Sequence, residues 1–332
     1  MDVAPVSERA GFVARDIVAP VPESWRGALG ARPPEDVLTG RLVGNQSGGI
    51  VCVLGGISAS RFVGNEDGHR GWWPKVVGHG LPLDLDRVAV FGFDWPPTDP
   101  EESIILTPGD QAQLLAILLD QAGIERLDGV MGCSYGGMIA LEFARQFPQR
   151  VGKLAVIAAA HRPSVMGGAW RGVQRRILEF AISAGRPEEG VSLARQLAMT
   201  TYRAPEEFTQ RFDPVGAEHP RFGAVSEVCG YLMSRGEAYI GRMSAQRFLS
   251  LSASVDLHDV KPEEIATPTM LVATSTDWLN PPADVEELRD RLAGPVAYRL
   301  IDSPCGHDAF LVEQESIAAL VQEFLGEDWI HE

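Results

Sequence analysis

The chain has 332 residues, 45% hydrophobic and 22% charged, with a formal net charge of −16. This apolar content suits a large globular core, and the acidic balance excludes a general nucleic-acid surface. No stretch is apolar enough to span a bilayer. The opening MDVAPVSERAGFVARDIVAP has an acidic second residue and no long apolar segment, so no secretory leader is expected.

In chain order, the first 45 residues are rich in Pro and Gly and predict irregular structure or short edge strands. Continuous apolar, β-rich runs follow at Gly49–Gly56, Arg87–Trp95, Leu127–Ser134, Lys153–Ala160, Thr269–Ser275 and Val296–Asp302. Continuity rather than alternation marks strands covered on both faces. Helical patterns lie between them. One opens on Thr107 as N-cap, with proline next, and stops near Gly123. Others are YGGMIALEFARQFP, ending at Pro148, PADVEELRDRLAG, ending on Gly294, and the closing QESIAALVQEFLG. This alternation predicts an α/β fold with a mainly parallel sheet flanked by helices. From about His161 to Val260 the alternation fails. Three helical patterns (GAWRGVQRRILEFAISAG, PEEGVSLARQLAMTTY, EAYIGRMSAQRFLSLSASVD) follow without a strand. The expected organisation is a core of residues 1–160 and 251–332 with a helical lid inserted at 161–250.

Gly132-Cys133-Ser134-Tyr135-Gly136 fits G-x-S-x-G between a buried-type strand and a small-residue helix. That context is the nucleophile elbow: glycines let the backbone turn sharply and leave the serine oxygen projecting at a helix N-terminus. A serine hydroxyl needs a base, and the base an orienting acid; in this fold they follow in the order acid, histidine. His307, in DSPCGHDAF between the last strand and the last helix, is the expected base. His258 lies in the charged segment DLHDV and His331 in the terminal tail. Asp277 follows the TMLVATS strand, at the sheet edge where open α/β folds build sites; Asp256, Asp259 and Asp302 are less well placed. Tyr135 offers one backbone N–H to a developing oxyanion. The loop after the first core strand offers a second from Leu54, with Gly55 the near alternative. Cys52, Cys133, Cys229 and Cys305 lack metal or disulfide spacing and read as reduced thiols, so a cytoplasmic location is expected.

Five segments together resemble the homoserine O-acyltransferases of the α/β-hydrolase superfamily: GHRGWWPKVVGHGLPLDLDRVAVF, GCSYGGMIALEFARQFPQRV, GVSLARQLAMTTYRAPEEFTQRF, TSTDWLNPPADVEEL and GHDAFLVE. The resemblance implies Ser134 as nucleophile, Asp277 as orienting acid and His307 as base. It implies that Asp308 binds the ammonium of an amino-acid acceptor and that Arg203 is a cation near the acceptor carboxylate or the acyl donor. It also implies an acetyl- or succinyl-coenzyme A co-substrate, no permanently bound cofactor, no metal, and a homodimer built through lid helices. The family's Met at the elbow is Tyr135 here, and its Leu-Thr-Gly loop is Leu54-Gly55-Gly56. Ping-pong acyl transfer to homoserine, in methionine biosynthesis, is the expected activity. Acyl transfer to serine and an esterase are the alternatives, and a non-catalytic binding protein is opposed by the complete Ser–Asp–His order.

Overall fold

The computed structural model describes residues 11–66, 68–213, 216–219, 223–326 and 328–331. Eight strands form one sheet: β1 (Phe12–Pro20), β2 (Val37–Asn45), β3 (Ile50–Leu54), β6 (Ala89–Phe93), β7 (Gly129–Cys133), β8 (Leu154–Ile157), β11 (Thr269–Thr274) and β12 (Val296–Ile301). A short pair, β4 (Val77–Gly78) and β5 (Leu83–Asp84), and a hairpin, β9 (Gly216–His219) and β10 (Gly223–Ser226), stand apart from it. The sheet order is β1-β2-β6-β3-β7-β8-β11-β12. The six strands from β6 to β12 are parallel, and β1 and β2 are antiparallel additions.

Residues alternate between the two faces, and both faces are buried. From β3, Cys52 and Leu54 enter a core that contains Phe91, Leu115 and Phe143, whereas Val51 and Val53 enter one that contains Trp73, Phe310 and Phe324. The helices supply the covering layers: α1 (Pro108–Ala122) and α2 (Tyr135–Gln146) after β6 and β7, α8 (Pro282–Arg291) after β11, and α9 (Ala309–Val312) with α10 (Gln314–Leu325) after β12. Helix α1 begins at Thr107, whose side chain and that of Asp110 form a reciprocal capping box, and ends on Gly123 at φ 73°.

The N-terminal segment departs from expectation. β1 and β2 are nine-residue strands in full antiparallel register. Their glycines are not turn signals. A Cβ on Gly44 would meet Val88 O at 2.3 Å, and one on Gly40 would meet the Phe91 ring at 2.9 Å, so both permit close packing against the adjoining chain.

Between β8 and β11 lie α3 (Val165–Ser183), α4 (Pro187–Tyr202), α5 (Pro205–Arg211), the β9–β10 hairpin, α6 (Glu227–Glu237) and α7 (Ala245–Asp256). The hairpin was not expected. The pattern read as one helix from Glu237 is helical only in its second part: α6 stops at Glu237, and α7 starts afresh after it with Ser244 accepting from the Arg247 N–H. Leu178, Val191, Phe248 and Leu251 of this block pack into the same core as α1 and α2.

Candidate active site

The carboxyl ends of β3 and β7 converge where the connections leave the sheet in opposite directions, the switch point at which open α/β sheets form crevices. Ser134 follows β7 at φ 55°, ψ −119°, a strained conformation for a side-chain-bearing residue. Its neighbours explain how the strain is held. A Cβ on Gly132 would meet Gly136 O at 2.3 Å, and one on Gly136 would meet Leu54 O at 2.2 Å. Both flanking positions therefore require glycine for close backbone approach. The Ser134 N–H donates to Ile157 O (2.8 Å) and the Gly136 N–H to Gly55 O (2.9 Å), tying the elbow to the strands on either side.

The His307 Nε2 lies 2.8 Å from Ser134 Oγ, and its Nδ1 lies 2.8 Å from Asp277 Oδ2. Asp277 Oδ1 accepts the N–H groups of Leu279 (2.8 Å) and Asn280 (3.0 Å), which fixes the carboxylate in the turn after β11. His307 is 7% exposed and Asp277 3%. Burial opposes the charged imidazolium, but the Asp277 charge and hydrogen bond outweigh it and hold the His307 pKa above its ordinary value. The ring stacks on Tyr202 and meets the edge of Phe310, whose carbonyl accepts from Trp73 Nε1.

The Tyr135 backbone N–H opens α2 and has no intrahelical acceptor. Its side chain, for which no role was legible in the sequence, is fully buried and stands edge-on to Trp95. The phenol is 2.7 Å from Ser254 Oγ, and Ser254 in turn donates to Leu106 O. A carbonyl can only accept, so Tyr135 is the donor to Ser254. The side chain thus pins the elbow to α7.

A cavity of about 220 Å³ opens over Ser134 and His307. The loop after β3 lines it from Gly56 to Ala59; Leu54 and Gly55 are not among the lining residues. Asp308 lines it, and burial raises its pKa against the opposing charges of Arg203, His307 and Arg195. Arg203 does not line it. That guanidinium donates to Glu207 (2.6 Å) and reaches Asp308 at 3.5 Å. Two cations do line the cavity: Arg171 of α3, paired with Asp256, and Arg195 of α4, which lies over the rings of Tyr202 and Tyr239 and forms no salt bridge among the described residues. Sequence reading missed Arg195 because it sits inside a helical pattern, where an arginine reads as surface charge. Its place seven residues before Tyr202, two turns along the same face, was the available signal.

The other candidates lie elsewhere. His258 is buried against Ala160 O (3.1 Å), and burial depresses its pKa to about 3, so it is a neutral packing residue. Asp256 pairs with Arg171 and Arg175, and Asp302 with Ser275. The His331 side chain is outside the described residues. Cys133 and Cys305 are buried thiols whose pKa values burial pushes up, which disfavours the reactive thiolate. Among the described residues, no group of three His, Cys, Asp or Glu side chains could hold a metal ion, and no helix is long and apolar enough to cross a membrane.

An elbow serine at the edge of such a sheet defines the class. The family described as alpha/beta hydrolase fold matches residues 50–314, and the protein is an α/β-hydrolase-fold enzyme. Within that class, a homoserine O-succinyltransferase of Xanthomonas campestris pv. campestris is 38% identical over 283 residues, covering 84% of this chain and 76% of its own. A homoserine O-acetyltransferase of Geotalea uraniireducens is 35% identical, covering 80% and 82%. The chain belongs to the homoserine O-acyltransferase family. Among solved structures, homoserine O-acetyltransferase from Bacillus anthracis superposes with a TM-score of 0.83 at 17% identity, covering 95% of this chain and 98% of that one. Esterase E22 superposes with a TM-score of 0.82 at 18% identity, covering 95% and 100%. At these identities the likeness is one of fold.

Proposed function

We propose that the protein transfers an acyl group from an acyl-coenzyme A to the hydroxyl of homoserine, a step of methionine biosynthesis, through an acyl-Ser134 intermediate. Ser134 Oγ attacks the thioester carbonyl as His307 Nε2 takes its proton, and Asp277 holds the tautomer that leaves Nε2 free. The oxyanion is met by the Tyr135 N–H and by a second N–H from the Leu54–Gly55–Gly56 turn; a Cβ on Gly56 would touch Ser134 Cβ at 3.9 Å. The C–S bond breaks, and coenzyme A departs with the proton returned by His307. The acceptor hydroxyl then loses its proton to His307, attacks the acyl carbon and leaves as the ester, and Ser134 recovers its proton.

One observation carries the choice of acceptor. Asp308, adjacent to the base, and Arg195, which forms no salt bridge among the described residues, face one cavity with Ser134. An anion and a cation on the walls of one small cavity suit the ammonium and carboxylate of a free amino acid. A simple ester has no use for them, which favours transfer over hydrolysis. Arg203 then serves from behind, by orienting Asp308. Helices α3, α4 and α7 form the lid, which gives the acceptor its advantage over water by holding it in place.

No permanently bound cofactor is required by this chemistry, and acyl-coenzyme A is a co-substrate. The exposed Val173, Phe180 and Leu193 of α3 and α4 support a homodimer through the lid. A cytoplasmic location fits the thioester supply and the four free cysteines. The test of the acceptor is kinetic. Arg195→Leu and Asp308→Asn should each raise the homoserine KM about 10- to 100-fold while thioester-driven acylation stays within a few-fold. Loss of acylation with an unchanged KM would remove both from the acceptor site.

A further inference from the structure

Two residues that line the cavity lean on a third that does not. Ser58, in the turn after β3, and Arg195 of α4 both line it, and both touch Tyr239. Tyr239 is 6% exposed and stands between α6 and α7, in the helical insertion. Its phenol oxygen lies 2.6 Å from Ser58 Oγ and 3.6 Å from Met243 Sδ. The guanidinium of Arg195 lies over its ring, 4.7 Å from the centroid. Close packing of α6 on α4 fixes this arrangement. A Cβ on Gly236 would meet Ser192 O at 2.6 Å, so glycine is required three residues before Tyr239, beside the turn of α4 that leads to Arg195.

Each end of this contact bears on the chemistry. The Gly56–Ala59 turn is pinned at its base, where Gly56 O accepts from the Ala59 N–H (2.9 Å) and from Trp95 Nε1 (3.1 Å). At its tip the Ser58 side chain bonds to Tyr239. That turn continues Leu54–Gly55–Gly56, the source of the second oxyanion donor in the proposed mechanism. Such a donor is worth about 10²–10³ in rate, and only while it is aimed at the oxyanion. At the other end, Arg195 lies over the rings of both Tyr239 and Tyr202, and Tyr202 stacks on His307. A cation held by ring faces is placed without a carboxylate to neutralise it, which leaves its charge for a ligand.

We propose that Tyr239 is a positioning residue with two separable parts: its hydroxyl holds the oxyanion turn through Ser58, and its ring sets Arg195 for the acceptor carboxylate. This rests on the acyl-transfer reading and adds to it a residue that touches neither substrate. No bond to the substrates forms or breaks at Tyr239. The hydroxyl serves both half-reactions, because each passes through a tetrahedral oxyanion. The ring serves only the second, in which the acceptor is bound.

Tyr239→Phe removes the hydroxyl and keeps the ring, and Tyr239→Leu removes both. Acylation is read as the burst of coenzyme A thiol without acceptor, rate and amplitude separately, using whichever of acetyl- and succinyl-coenzyme A acylates the wild type faster. Acceptor binding is read as the half-saturating homoserine concentration for discharge of the preformed acyl-enzyme. Tyr239→Phe should slow the burst about 3- to 10-fold at unchanged amplitude and leave half-saturation within about twofold. Tyr239→Leu should slow the burst alike and raise half-saturation about 5- to 30-fold. Ser58→Ala should slow the burst about as much as Tyr239→Phe, and the double variant no more than either alone, since both cut one link. A wild-type burst rate in Tyr239→Phe overturns the proposal. So does a fall in amplitude at unchanged rate, which makes Tyr239 a residue of stability only. Additive losses overturn it by separating the two hydroxyls, and unchanged half-saturation in Tyr239→Leu overturns it by freeing Arg195 from the ring. These outcomes leave acyl transfer standing, whereas no burst in the wild type with either thioester removes that reading itself.

Discussion

Asp277→Asn replaces one oxygen by an amide nitrogen of nearly equal size, so its effect is electrical rather than steric. An asparagine has one acceptor oxygen where the aspartate has two. In the native turn, Oδ1 accepts from the Leu279 and Asn280 N–H groups, and Oδ2 faces His307 Nδ1. Turning the new amide nitrogen toward Leu279 and Asn280 would strand two buried donors, at about 1–3 kcal/mol each. The oxygen therefore stays in the turn and the NH₂ faces His307. Nδ1 must then accept, the imidazole proton moves to Nε2, and Ser134 loses its base. The expected loss is about 10⁴-fold in kcat/KM for the thioester, with the fold intact. Stopped-flow titration of released coenzyme A thiol measures it, with circular dichroism as the folding control. A well-folded variant losing less than about 10-fold would refute the reasoning.

Two further outcomes follow from the same geometry. His307 acts as a base only when neutral, and Asp277 holds its pKa above 6.5, so kcat/KM should fall with decreasing pH along a limb centred above 6.5. A limb at or below 6.5 would contradict the coupling. Tyr135→Phe removes the donor to Ser254 but leaves Ser254 bonded to Leu106, so the cost should be about 1 kcal/mol, or ~2–4 °C in Tm. Activity should stay within about threefold, since the phenol points to α7; a 100-fold loss would give it a part in the chemistry.

The parallel core was legible because its strands are buried on both faces and read as unbroken apolar runs bounded by glycine, and α1 because its caps are explicit at Thr107 and Gly123. That Ser134, Asp277 and His307 would be brought together was legible because each follows the carboxyl end of such a run. The β1–β2 pair was not, because Gly40 and Gly44 are there for close packing, and spacing alone does not separate that use from a turn. The β9–β10 hairpin was hidden inside a stretch of helical composition. The family motif pointed to Arg203 as the cation of the site, whereas Arg195 is the one of the two that lines the cavity; which of two arginines eight residues apart does so depends on how α4 rolls against its neighbours. The role of the Tyr135 side chain depends on a contact with α7 more than 100 residues further along the sequence, which no local pattern records.

The central claim is a covalent acyl-Ser134 that an amino-acid hydroxyl resolves. Intact-protein mass spectrometry after brief mixing with acyl-coenzyme A, without acceptor, tests it directly. The account predicts one added acyl group per chain, mapped to the peptide holding Ser134, absent in Ser134→Ala, and discharged by homoserine much faster than by water. Turnover in Ser134→Ala, or an adduct that water and homoserine clear at the same rate, would contradict it.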